Sequence, residues 1–113
     1  DKTMANFREL GAYTILHYVD NNSTVQLFIE DQIGQLISYS QKKNNDLFNT
    51  LYVYLQNNGH LKNTAEALYI HRSSLIYRMD RIAQLLNADL EDAEVRFNLL
   101  MAYKLYDMFK KEM

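Results

Sequence analysis

The chain has no cysteine and no proline, and only three glycines among its 113 residues. Without cysteine there is no disulfide, no thiolate metal site and no thiol nucleophile, a usage that suits a reducing, cytoplasmic compartment. At an average usage of about 5%, proline would appear roughly five or six times. Its absence, with glycine so scarce, removes the turn punctuation that an all-β fold needs. Also missing are an apolar run long enough to span a bilayer and a signal-peptide pattern, so no membrane partner is expected. What is present is ordinary for a globular domain: 48% hydrophobic and 23% charged residues. These features predict one all-α domain over residues 1–113, a compact bundle of six to seven helices.

The formal net charge of -2 argues against a polyanionic partner until it is divided along the chain. Residues 1–59 and 83–113 are each net acidic. Residues 60–82 carry Lys62, Arg72, Arg78 and Arg81 against Glu66 and Asp80, so a short basic segment lies between two acidic flanks. A partner feels charge within a Debye length of about 8–10 Å, so this local excess matters more than the sum.

Apolar spacing divides the chain into helices. Phe7 to Val19 reads as an amphipathic helix, with a polar break at Asp20-Asn21-Asn22-Ser23. Ser23 or Thr24 can cap the next one, whose stripe is Val25, Phe28, Ile29, Ile33, Leu36 and Ile37. Gly34 interrupts that stripe and is expected to split the helix in two. After a polar loop at Lys42–Asn45, Asp46 caps a helix with Leu47, Leu51, Tyr54 and Leu55 on one side. Gly59, following Asn57-Asn58, closes it. Asp89 or Asp92 caps a final helix of about twenty residues, with acids in its first turn facing the positive end of the helix dipole.

The stretch from His60 to Asn87 is more specific. Asn63-Thr64-Ala65-Glu66 has the spacing of a capping box, so a short helix of about six residues is expected from there to Tyr69. Ala65, Leu68 and Ile70 face inward. A second helix starts at Arg72 or Ser73 with the inward stripe Leu75, Met79, Ile82 and Leu86, which turns Ser73, Tyr77, Asp80 and Gln84 outward. A short helix, a tight turn and a longer helix with a polar outer face form helix-turn-helix grammar, in which the second helix enters the DNA major groove.

These residues also resemble a family. Thr50-Leu51 with Tyr54-Leu55, then Asn58-Gly59, Thr64-Ala65-x-x-Leu68, and Ile70-His71-Arg72-Ser73-Ser74-Leu75-Ile76-Tyr77-Arg78-Met79-x-x-Ile82 are similar to the C-terminal domain of PucR/CdaR-type bacterial transcription regulators. Glu9-Leu10-Gly11-x-Tyr13, Leu90-Glu91-Asp92, Arg96 and the run from Leu99 to Leu105 continue the similarity over nearly the whole chain. The resemblance implies the C-terminal output module of a longer regulator, with any small-molecule inducer bound by upstream domains. Two positions depart from the pattern. Tyr69 stands where many helix-turn-helix motifs have glycine, and Ser73-Ser74 stand where similar proteins commonly have Asn-Thr.

The expected partner is therefore double-stranded DNA. Arg72 can fork onto a guanine edge or a phosphate, and Ser73, Ser74 and Tyr77 project into the groove, although Tyr77 can equally cover apolar surface. Lys62, Asn63, Thr64, His71 and Arg81 are candidates for phosphates. Arg78 falls near the buried stripe and is expected to pair with an acid from another helix.

The three histidines lack the spacing of metal ligands, and no nucleophile–base pair can be argued, so neither cofactor nor catalysis is expected. On the last helix Val95, Leu99, Ala102, Tyr106 and Phe109 form one stripe, with Phe97, Met101, Leu105 and Met108 beside it. That breadth suits a homodimer through this helix, or a helix buried on several sides. The rival readings are a protein-interaction or dimerisation module that does not touch DNA, and an RNA-binding domain. The latter lacks an aromatic stacking platform.

Overall fold

Six helices and no strand make up the described residues, 11–43 and 46–110, of the computed structural model. They are α1 (Tyr13–Leu16), α2 (Ser23–Lys43), α3 (Leu47–Gln56), α4 (Leu61–Leu68), α5 (Arg72–Leu86) and α6 (Ala93–Phe109). The expected all-α bundle is what forms. The expected first helix is reduced to Tyr13–Leu16, because Gly11 adopts a positive φ of 55° that a right-handed helix cannot include. Phe7–Leu10 of that expectation lie outside the described residues, as do Asn44 and Asn45 of the expected polar loop. Lys42 and Lys43 instead finish α2.

Helix α2 runs unbroken through Gly34, contrary to the expected split. A lone glycine costs a helix interior only about 1 kcal/mol, and the buried Ile29, Ile33 and Leu36 around it hold the helix by packing. The side chain of Glu30 lies where a Cβ on residue 34 would project. The cap of α2 is one residue earlier than expected: Val25 N–H donates to Asn22 Oδ1 at 3.0 Å. Asp46 precedes α3 but makes no side-chain cap bond.

The ends of α3, α4 and α5 close in the same way. Gly59 N–H donates to Tyr54 O at 3.0 Å, Ile70 N–H to Ala65 O at 3.1 Å and Ala88 N–H to Ala83 O at 3.2 Å. Each is the six-to-one bond of a Schellman motif, and the left-handed residues are Asn58, Tyr69 and Asn87. Gly59, also at positive φ (78°), follows Asn58, with the Arg96 side chain 3.0–3.2 Å from where its Cβ would stand. Arg96 in turn donates to the carbonyls of Leu90 (3.2 Å) and Glu91 (2.8 Å), tying the loop before α6 to the end of α3. Of the two candidate caps for α6, Asp92 makes the side-chain bonds, to Glu94 N–H and Val95 N–H, and the helix is 17 residues long.

Helix α3 touches every other long helix of the domain. Helix α6 packs against α2 and α3, while α5 packs against α2, α3 and α4. Leu99, Ala102, Tyr103, Leu105 and Phe109 of α6 are buried in the core. Val95, Tyr106, Met101 and Met108 are half-buried, and Phe97 remains exposed. The stripe expected to carry a homodimer is therefore buried or half-buried in this chain's own core, while the second stripe leaves Phe97 at the surface. Two adjacent stripes are what a helix needs when neighbours cover it from two sides.

Tyrosines fill the α3–α6 contact. Tyr103 stacks on Phe48 (4.6 Å between centroids) and on Tyr52 (5.3 Å), and its hydroxyl donates to Phe48 O at 2.6 Å. Tyr54 donates to Leu90 O at 3.0 Å. Burial pushes the phenol pKa of Tyr103 far up, and raises that of Tyr54, the latter opposed by the nearby Arg96. Both groups stay protonated in the fold at a pH where the unfolded chain releases those protons. Stability is thus fully present below about pH 10 and falls above it, by up to about 1.4 kcal/mol per pH unit for Tyr103, with Tyr54 acting in the same direction. Urea titrations from pH 8 to 11 should show this decline, and Tyr103→Phe should flatten it while lowering stability at pH 8. An equally steep fall in that variant would place the titrating group elsewhere.

Candidate nucleic-acid interface

Helix α4 begins at Leu61, earlier than expected, and is eight residues long. The His60 carbonyl accepts from Thr64 N–H at 3.0 Å, which places the N-cap at His60 and puts Asn63 inside the first turn. The expected capping box of Asn63 and Glu66 therefore does not form. Thr64 differs more. It is fully buried, and its hydroxyl donates to His60 O at 2.6 Å, so this side chain cannot reach a phosphate. Lys62 and Asn63 are exposed beside it.

After α4 the chain turns on Tyr69 (φ 57°, ψ 42°), a left-handed conformation that costs a residue with a Cβ about 1–2 kcal/mol. Ile70 is half-buried, and extended His71 leads into α5 at Arg72. The inner face of α5 is as expected: Leu75 and Ile82 are fully buried, Met79 is buried and Leu86 half-buried. On the other side Arg72, Ser73, Ser74, Ile76, Tyr77, Asp80, Arg81 and Gln84 are exposed. Tyr77 is 73% exposed, so it does not cover apolar surface.

Two arginines of α5 are held by other helices. Arg78 is half-buried and donates through Nη1 to the hydroxyl of Thr50 in α3 at 2.9 Å. It is structural as expected, but its partner is a buried threonine rather than an acid. The Arg81 guanidinium lies 5.4 Å from the ring centre of Tyr39 in α2, a cation–π distance.

Two open grooves meet the first turn of α5. One, of about 600 Å³, is lined by Tyr39, Asp46, Ser73, Ser74, Tyr77 and Arg81. The other, of about 560 Å³, lies on the α4 side and is lined by Lys62, Glu66, Tyr69, His71 and Arg72. Of the DNA-contact candidates from the sequence, all but Thr64 stand exposed around this end of the molecule. The sequence offers no sign of Tyr39, and marks Thr50 only as part of the family pattern, not as the partner of Arg78: both roles arise through the packing of α2 and α3 on α5.

Among the described residues, no group of three or more His, Asp or Glu side chains is placed to hold a metal ion. None of the described helices is long and apolar enough to cross a membrane.

The profile of the PucR C-terminal helix-turn-helix domain matches residues 47–105, from the start of α3 into α6. The chain belongs to this family. Three relatives, all from Bacillus subtilis (strain 168), agree with that membership. The chain is 34% identical to a purine catabolism regulatory protein over 63% of its own length and 13% of the relative's. It is 28% identical to the proline-responsive transcriptional activator PutR over 84% of its length and 23% of that protein's. To the DNA-binding transcriptional activator AdeR it is 24% identical over 95% of its length, and 25% of AdeR's. The chain thus spans a quarter or less of each relative it matches. No solved structure matches it. Within this PucR-type domain the helix-turn-helix is α4–α5; α3 packs against both of its helices and α2 against α5.

Proposed function

We propose that this PucR-type domain binds double-stranded DNA in a sequence-specific way, as the output module of a longer bacterial transcription regulator. Helix α5 enters the major groove, with Arg72, Ser73, Ser74 and Tyr77 at the base edges. Lys62, Asn63, His71 and Arg81 meet phosphates on either side. The observation that carries this reading is the division of α5 into a buried face (Leu75, Met79, Ile82) and a polar, exposed one beginning at its first turn. The names of the relatives support it, since all three are regulators and one is called DNA-binding.

In this reading the regulator is cytoplasmic and any small-molecule inducer acts on other domains. Two copies set one DNA turn apart would double the available contacts, and surfaces other than the buried α6 stripe would join them.

Fluorescence anisotropy against a randomised duplex pool, titrated from about 50 to 200 mM salt, tests the reading. If Lys62 and Arg81 each displace one counterion, the slope of log K against log salt is about -1.8, and affinity falls about 12-fold over that range. Selection from the same pool then yields the site. Absence of binding at the lowest salt would sink the proposal and favour a protein-interaction module.

A further inference from the structure

We propose that Tyr69, the residue at the turn of the helix-turn-helix, is a further DNA-contacting residue whose phenol hydrogen-bonds a backbone phosphate seated in the groove between α4 and the start of α5. The inference rests on the DNA-binding reading above and adds to it a contact that a glycine at the turn could not make.

Three observations lead there. The first is a cost without local compensation. Among the described residues three non-glycine positions take a positive φ, and two of them, Asn58 and Asn87, are asparagines. Asparagine tolerates the left-handed region because its short polar side chain can bond locally. Tyrosine has no such device, yet it occupies the middle Schellman turn.

The second is that packing does not account for the ring. Tyr69 is 94% exposed, the most open of the large hydrophobic side chains described. Neither the backbone nor the core therefore explains a tyrosine here, and a strained, exposed residue in a binding element points to function.

The third is the company it keeps. Tyr69 lines the 560 Å³ groove together with Lys62, His71 and Arg72. Two cations and an exposed hydroxyl around one concavity suit a phosphate oxygen. Lys62 and Arg72 supply charge and the phenol supplies an uncharged donor. Glu66 also lines the groove and opposes an anion, which leaves a small cationic excess.

The experiment compares wild type, Tyr69→Phe, Tyr69→Gly and Lys62→Ala by anisotropy on the randomised duplex pool, with urea unfolding of each. Tyr69→Phe keeps ring and backbone and removes only the hydroxyl, so it should bind about three- to tenfold more weakly. The salt slope should not change, since a phenol displaces no counterion, whereas Lys62→Ala should reduce its magnitude by about 0.9. Tyr69→Gly should lose at least as much affinity while unfolding at a higher urea concentration than wild type, a divergence that a purely structural role would not produce. Wild-type affinity in Tyr69→Phe or in Tyr69→Gly overturns this inference and leaves the DNA-binding reading standing. Failure of wild type itself to bind at about 50 mM salt overturns both.

Discussion

Leu75→Ala is expected to destabilise the domain by about 2–5 kcal/mol, the range for removing a buried leucine side chain where neighbours cannot close the gap. Leu75 has no exposed surface and sits in the first turns of α5, directly behind the residues proposed to face DNA. Helix α5 is wedged against α2, α3 and α4, so inward collapse would have to displace elements that are themselves fixed by Ile33, Leu36 and Leu51. A loss of that size is a large fraction of the stability of a domain this small. The neighbouring Ser74 supplies the contrast, because it is exposed and Ser74→Ala should stay within about 0.5 kcal/mol of wild type. Urea midpoints of the two variants check this. A cost below about 1 kcal/mol for Leu75→Ala would mean that the start of α5 is not anchored as described.

The second large effect concerns reading rather than folding. Arg72→Ala should reduce discrimination between a selected site and random duplex by about 1–3 kcal/mol, roughly 5- to 150-fold, if the guanidinium forks onto a base edge. Lys62→Ala should instead weaken all sequences alike and lower the salt slope by about 0.9. Both residues are exposed and line the same groove, so neither substitution should disturb the fold. Competition anisotropy with selected and scrambled duplexes separates the two outcomes. Equal losses on both duplexes for Arg72→Ala would reassign this arginine to the phosphates and shift base reading to Ser73, Ser74 and Tyr77.

These two predictions draw on different levels of the molecule. The stripe Leu75, Met79, Ile82 and its polar complement follow from counting 100° per residue, and that count needs no neighbour. The exposed faces of Arg72, Ser73, Ser74 and Tyr77 were therefore legible before any fold was known. Thr64 was not, because a threonine in a helix's first turn can face a ligand or bond back to the carbonyl four residues earlier. Only the position of His60 decides between them. Asn63 was misread for a related reason: a capping-box spacing is satisfied by residue types alone, whereas the true cap depends on where the backbone first turns helical.

By itself the sequence determined the helical class, the stops at Asn57-Asn58-Gly59 and near Tyr69, and which side of α5 faces solvent. All of these are set by interactions spanning a few residues. Packing between helices decided the rest. It buried Leu99, Ala102 and Phe109 of α6, carried α2 unbroken through Gly34, seated Arg78 on Thr50 and laid Arg81 over Tyr39. Those pairs are 28 and 42 residues apart in the chain, and no local periodicity encodes which helix ends beside which. The order of helices along the chain is local information, while their crossing is a property of the whole core, settled only when every apolar stripe finds a partner at once.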